Sequence, residues 1–138
     1  MDHEPAELVA DAREALDRAY VPYSEYRVGA ALLTDEGSVY TGTNIENANY
    51  SNSLHAEEVA VARALMEGHR DFEALAVASG KRDGVTPCGM CRQTLAEFCG
   101  EEFPVYCDGA DGREGPVVTE YTLGELIPAT ISRETLDR

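Results

Sequence analysis

Residues 55–66 read His-Ala-Glu-Glu-Val-Ala-Val-Ala-Arg-Ala-Leu-Met, residues 73–79 read Glu-Ala-Leu-Ala-Val-Ala-Ser, and residues 88–98 read Cys-Gly-Met-Cys-Arg-Gln-Thr-Leu-Ala-Glu-Phe. The first piece predicts a helix with a small apolar face built from Ala56, Val59, Ala60, Ala62, Ala64 and Leu65, ended by Gly68. The second is a short apolar run that fits a strand covered on both faces. The third predicts another helix, with Leu95 and Phe98 turned inward. Helix, covered strand, helix is the pattern of parallel crossovers.

The flanking chain completes an α/β architecture. Leu8, Val9, Ala12, Ala15, Leu16 and Ala19 recur at helical spacing over residues 4–19, and Pro22 stops that helix. Residues 27–34 and 38–45 read as strands around an Asp35-Glu36-Gly37 turn, which makes a hairpin. Gly29 and Gly42 inside those strands suggest close backbone approach. Residues 103–107 and 116–119 read as two more strands, with an acidic loop over 108–114 between them. Leu123, Leu126 and Ile127 form a last short helix before Pro128. The expected order is α-β-β-α-β-α-β-β-α. It gives a three-layer α-β-α fold around a mixed five-stranded sheet, in one domain spanning 1–138. Strands four and five are too close in sequence for a crossover, which takes roughly a dozen residues, so they should be antiparallel.

Composition excludes several classes of function. The net charge of −15 repels a long polyanion, so no nucleic-acid partner is expected. No apolar run is long enough to span a membrane, and the first residues carry no basic or apolar leader, so the expectation is a cytoplasmic protein. Lys81 is the only lysine among 11 basic residues, and acidic excess of this kind resembles halophilic proteins. Without export, the four cysteines point to metal or catalytic use rather than disulfides.

Cys88 and Cys91 stand three apart at a helix start, on one face, where the helix N-terminus favours the thiolate. Alone, the pair could also be a redox couple or two inert core cysteines. His55 and Glu57 sharpen the choice. In mid-helix, residues two apart point roughly 200° apart. If the helix begins near residue 55, His55 can sit at the cap and turn to the same centre as Glu57. Cys99 would lie about 12 Å along the helix from Cys91, too far for one zinc, so a four-cysteine structural site is disfavoured. One His and two Cys leave a tetrahedral zinc one open position for water, and Glu57 is an uncommitted acid–base group beside it.

His55-Ala56-Glu57 followed by Pro87-Cys88-Gly89-Met90-Cys91-Arg92-Gln93 is the known signature of the zinc-dependent nucleoside deaminases. The chain is identified as resembling the short, single-domain cytidine deaminases of that superfamily. Tyr20-Val21-Pro22-Tyr23-Ser24-Glu25-Tyr26-Arg27-Val28-Gly29-Ala30 and Thr43-Asn44-Ile45-Glu46-Asn47-Ala48 resemble two further family stretches, so the likeness covers nearly the whole chain. It implies one zinc per subunit on His55, Cys88 and Cys91, and Glu57 as proton shuttle. It implies ribose contacts from Asn44 and Glu46, Tyr26 lining the pocket, Ala56 N–H donating to the base carbonyl and the Thr86 carbonyl accepting from the amino group. It further implies hydrolysis of cytidine and deoxycytidine to uridine and deoxyuridine plus ammonia, within pyrimidine salvage, by a homotetramer. Arg92 is a candidate donor to a thiolate. Three positions depart from the family pattern: His55 stands where short members commonly have Cys, Glu58 where they often have Arg, and Ile131 where they often have Phe. The alternatives are a deaminase of another free nucleoside or aminonucleoside antibiotic, and a non-enzymatic zinc-stabilised binding module.

Overall fold

A computed structural model describes residues 4–80, 85–108 and 118–136. The central strand is β3 (Phe72–Ser79), with β1 (Val28–Thr34) and β2 (Val39–Thr43) on one side and β4 (Pro104–Asp108) and β5 (Val118–Thr122) on the other, in the order β2-β1-β3-β4-β5. β1 runs antiparallel to both β2 and β3, β3 and β4 are parallel, and β4 and β5 are antiparallel with Tyr106 opposite Glu120. The short β4–β5 connection therefore reverses direction, as its length requires. Of the expected fifth strand, residues 118 and 119 lie in β5; its first two residues and most of the acidic loop lie outside the described residues.

Two layers of helix cover the sheet, and the period-2 alternation of the strands sorts side chains between them. Ala31 and Leu33 of β1 and Ala74, Ala76 and Ala78 of β3 pack with Leu8, Val9 and Ala12 of α1 (Pro5–Ala15). Ala30 and Leu32 of β1 and Leu75 and Val77 of β3 face the other way, into a core shared with α2 (Ala56–Met66) and α3 (Gly89–Phe98). Two short helices, α4 (Leu123–Leu126) and α5 (Arg133–Leu136), follow β5.

The apolar face of α2 differs from the one expected. The buried residues are Ala56, Glu57, Ala60, Val61 and Ala64, whereas Ala62 is exposed and Val59 half-buried. Glu57 and Val61 are one turn apart, so burying the carboxylate brings Val61 inward and turns Ala62 out.

The two strand glycines do make close approaches. A Cβ on Gly29 would meet the Ala12 carbonyl oxygen at 2.1 Å, and one on Gly42 would meet the Ala56 carbonyl oxygen at 2.3 Å. Gly29 thus seats α1 on β1, and Gly42 seats the first turn of α2 on β2.

This topology places the site. β2 and β3 are both antiparallel to β1, so they run the same way and end at the same edge of the sheet. The chain leaves β2 before entering α2, and leaves β3 before entering α3. Both helix N-termini therefore open onto the edge where ligands bind in sheets of this type.

Candidate metal centre and active site

Each helix begins with a residue that can hold a metal. His55 is the N-cap of α2, with extended backbone at φ −97° and ψ 151°, and Cys88 is the N-cap of α3, at φ −71° and ψ 170°. Cap geometry resolves the two-residue spacing of His55 and Glu57, since the cap side chain is not bound by the helical rotation. Cys91, in the first turn of α3, is fully buried. The Cys88 Sγ lies 3.2 Å from His55 Nδ1, and the ligand atoms of His55, Cys88 and Cys91 all lie within 4.8 Å of one another.

Two sulfurs and one imidazole nitrogen form a donor set that fits zinc with a fourth position open. Burial pushes the Cys91 thiol far above its ordinary range, and the neighbouring Glu57 and Cys88 add to that. Thiolates in such a place need a cation among them, and the two helix N-termini supply only partial positive charge. A second convergent group, Asp35, Glu36 and His69, offers no sulfur, and both its carboxylates are exposed.

Glu57 is 5% exposed. Burial raises its carboxyl above the ordinary value, against lowering contributions from its own backbone amide, from His55 and from Cys91. It lies on the wall of a cavity of about 640 Å³, which His55, Ala56 and Cys88 also line. The volume suits a small molecule.

The three sequence-predicted substrate-binding side chains are gathered at the same cavity. Tyr26, Asn44 and Glu46 line it. The polar groups of Asn44 and Glu46 also organise the loop. Asn44 Oδ1 accepts from Val28 N–H at 3.1 Å, and its Nδ2 donates to the Tyr26 carbonyl at 2.7 Å. The Glu46 carboxylate accepts from the amides of Tyr23 and Ser24, each at 3.0 Å, and from the Ser24 hydroxyl. Desolvation pushes the Glu46 carboxyl up, but the Ser24 and Tyr23 hydrogen bonds outweigh it, and its pKa is lowered. A carboxylate has about four acceptor sites, so one stays available after these three bonds.

Arg92 departs from expectation. Its guanidinium donates to the Pro87 carbonyl at 2.6 Å, the Leu126 carbonyl at 2.6 Å and the Thr86 hydroxyl at 3.1 Å; among the described residues these bonds, and none to a sulfur, fix the side chain. The fork of a guanidinium matches several oxygens at once, and a carbonyl-lined corner satisfies it better than one thiolate. Ile131 is 51% exposed and is not among the residues lining its own chain's cavity.

Sequence reasoning passed over Tyr50 and Val85, which also line the cavity. Tyr50 is 74% exposed and meets Tyr23 edge-to-face at 6.0 Å. An aromatic in a polar, irregular stretch was the available signal.

Comparison with known proteins agrees with this geometry. Residues 3–107 match the model of the cytidine and deoxycytidylate deaminase zinc-binding region. A cytidine deaminase of Sporosarcina psychrophila is 44% identical over 129 residues, covering 94% of this chain and 92% of the relative. One of Halalkalibacterium halodurans is 42% identical over 130 residues, covering 94% and 96%. The crystal structure of cytidine deaminase from Burkholderia pseudomallei superposes with a TM-score of 0.83 at 36% identity, covering 95% of this chain and 100% of that one. A buried carboxylate beside a His-Cys-Cys donor set, on a sheet and helix arrangement shared with these proteins, leaves one assignment: the chain belongs to the cytidine and deoxycytidylate deaminase family, with its zinc-binding region.

Proposed function

We propose that this chain hydrolyses cytidine and deoxycytidine to uridine and deoxyuridine, releasing ammonia, in pyrimidine salvage, and that residues 1–138 act as one deaminase domain. The observation that carries the reading is Glu57, a nearly buried carboxylate on the wall of a nucleoside-sized cavity beside His55, Cys88 and Cys91. A purely structural zinc site has no use for that acid.

In this reading His55, Cys88 and Cys91 hold the metal, one per chain. Bound there, zinc supplies a Lewis acid that brings a water's pKa towards neutrality. Glu57 takes a proton from the attacking water and passes it to N3 of the pyrimidine as the oxygen adds to C4. Glu57 then delivers the water's second proton to the amino nitrogen, the C4–N bond breaks, and ammonia leaves. Water and cytidine are consumed and uridine and ammonia formed, with Glu57 returned to its starting state. Its burial serves this role, because a carboxylate whose pKa is raised above its ordinary value takes a proton from the attacking water more readily. Ala56 N–H, at the first position of α2, has no partner within the helix and is free to hold the base carbonyl. Tyr26 walls the cavity, and Asn44 and Glu46 receive the ribose hydroxyls with the hydrogen-bonding capacity the loop leaves them.

By resemblance, four copies assemble with their sites at subunit junctions; where related proteins often place an aromatic ring, either Ile131 packs apolarly on the base or another residue does so. Mass measurement in solution tests the assembly.

The activity is tested by adding cytidine to zinc-loaded protein and following the loss of its ultraviolet absorbance, with Glu57→Gln in parallel. The wild type should convert cytidine, and the variant should retain zinc yet lose about 10²–10⁴-fold in rate. No conversion by the zinc-loaded wild type refutes the reading.

A further inference from the structure

Cys88 is the weak point of the donor set. Cys91 is buried within a helix, but Cys88 is exposed and caps α3, at the end of a loop. A cap residue has no helical hydrogen bond on its own N–H, so nothing in the helix itself fixes the peptide plane before it.

Arg92 holds both peptide planes that flank Cys88. Its backbone N–H makes the ordinary helical bond to the Cys88 carbonyl at 2.9 Å, as any residue at this position would, and so fixes the plane after Cys88. Its side-chain Nε donates to the Pro87 carbonyl at 2.6 Å, which fixes the plane before it. The same guanidinium reaches the Thr86 hydroxyl at 3.1 Å, and Thr86 and Cys88 both line the cavity. The third arm ends on the Leu126 carbonyl at 2.6 Å, so the clamp is anchored to α4. Pro87 between them is fully buried.

We infer that Arg92 is a positioning residue: it aims the exposed Cys88 thiolate at the metal by clamping, with its side chain, the peptide that precedes it. This rests on the zinc reading above, with Cys88 as a ligand. The inference assigns Arg92 a role through the backbone rather than through contact with sulfur. A lysine at this position keeps the charge but has one nitrogen where the clamp uses three.

The test is zinc release from the folded protein to a chromogenic chelator in excess. Arg92→Gln should release zinc about tenfold or more faster than wild type, with Arg92→Lys intermediate. If Arg92→Gln does not fold, Arg92→Lys carries the test alone, and its release must still exceed wild type at least threefold. Leu8→Ala, in the α1 core on the opposite face of the sheet, serves as a control for lost stability. It should lower the melting temperature while releasing zinc at the wild-type rate. Release from both Arg92 variants within twofold of wild type overturns the inference, as does equal acceleration by Leu8→Ala. A wild type that never holds one zinc per chain defeats the metal reading itself, a result distinct from either of these.

Discussion

Gly42 carries the position of α2, and adding one methyl group there should separate catalysis from folding. A Cβ at this position would stand 2.3 Å from the Ala56 carbonyl oxygen and 2.5 Å from the Ala60 amide nitrogen. Both are backbone atoms of α2, so no side chain can rotate away. Restoring an ordinary contact of about 3.4 Å over the present 2.3 Å moves the first turn of α2 outward by about 1 Å. That turn bears His55, Ala56 and Glu57. Overpacking of this kind costs about 1–3 kcal/mol, or several degrees in melting temperature. A 1 Å misplacement of reacting groups costs on the order of 100-fold in rate. Gly29→Ala is the matched comparison, because its Cβ would meet the Ala12 carbonyl oxygen at 2.1 Å and push on α1, which bears no candidate site residue. The two variants should lose similar stability. Gly42→Ala should lose about 100-fold in kcat/KM per folded molecule, and Gly29→Ala no more than about threefold. The assay is cytidine turnover normalised to the folded fraction from circular dichroism. Equal losses of activity in the two variants, or wild-type activity in Gly42→Ala, would refute the argument that Gly42 seats the catalytic turn.

Two further predictions concern charge. His55→Cys would turn a neutral zinc centre with two thiolates into one with three and a net charge of −1, beside Glu58, whose carboxylate accepts the residue-55 N–H at 2.6 Å. Zinc affinity by chelator competition should fall for the single variant and partly recover in His55→Cys/Glu58→Arg, recovery being partial because the capping bond, worth about 1 kcal/mol, is lost; identical affinities in the two would remove the idea. Burial pushes the Cys99 thiol up to about 12 and the Cys107 thiol up to about 11. In the unfolded chain both ionise near pH 8.5, so between that pH and about 11 the unfolded state binds fewer protons and stability falls as pH rises. The denaturant midpoint should decline above about pH 9, and Cys99→Ala/Cys107→Ala should flatten that slope; an unchanged slope would exclude these thiols as its source.

What could be read from the sequence divides along a physical line. Elements that bury a periodic face were legible because burial imprints its period on the chain: β1 and β3 stand within a residue of expectation, α1 starts where expected but ends at Ala15 rather than at residue 19, the hairpin closes at Gly37, and Gly29 and Gly42 meet backbone as interior strand glycines should. The helix start at residue 55 was legible for a different reason: it is the only arrangement that lets His55 and Glu57 converge. Less legible was anything set by a partner distant in sequence. The phase of α2 follows from the burial of Glu57, a cost no apolar pattern reports, and so Val61 and Ala62 exchanged places. Arg92 shows the limit most sharply. From its place beside Cys91 it reads as a donor to a thiolate, but a guanidinium goes where the most acceptors converge. That corner is built from Thr86, Pro87 and Leu126, the last of them 34 residues away. Its place next to Cys91 puts the arginine beside the centre. Which atoms it holds depends on a carbonyl that only the folded chain brings near, and that difference separates a group that tunes the metal from one that aims its ligand.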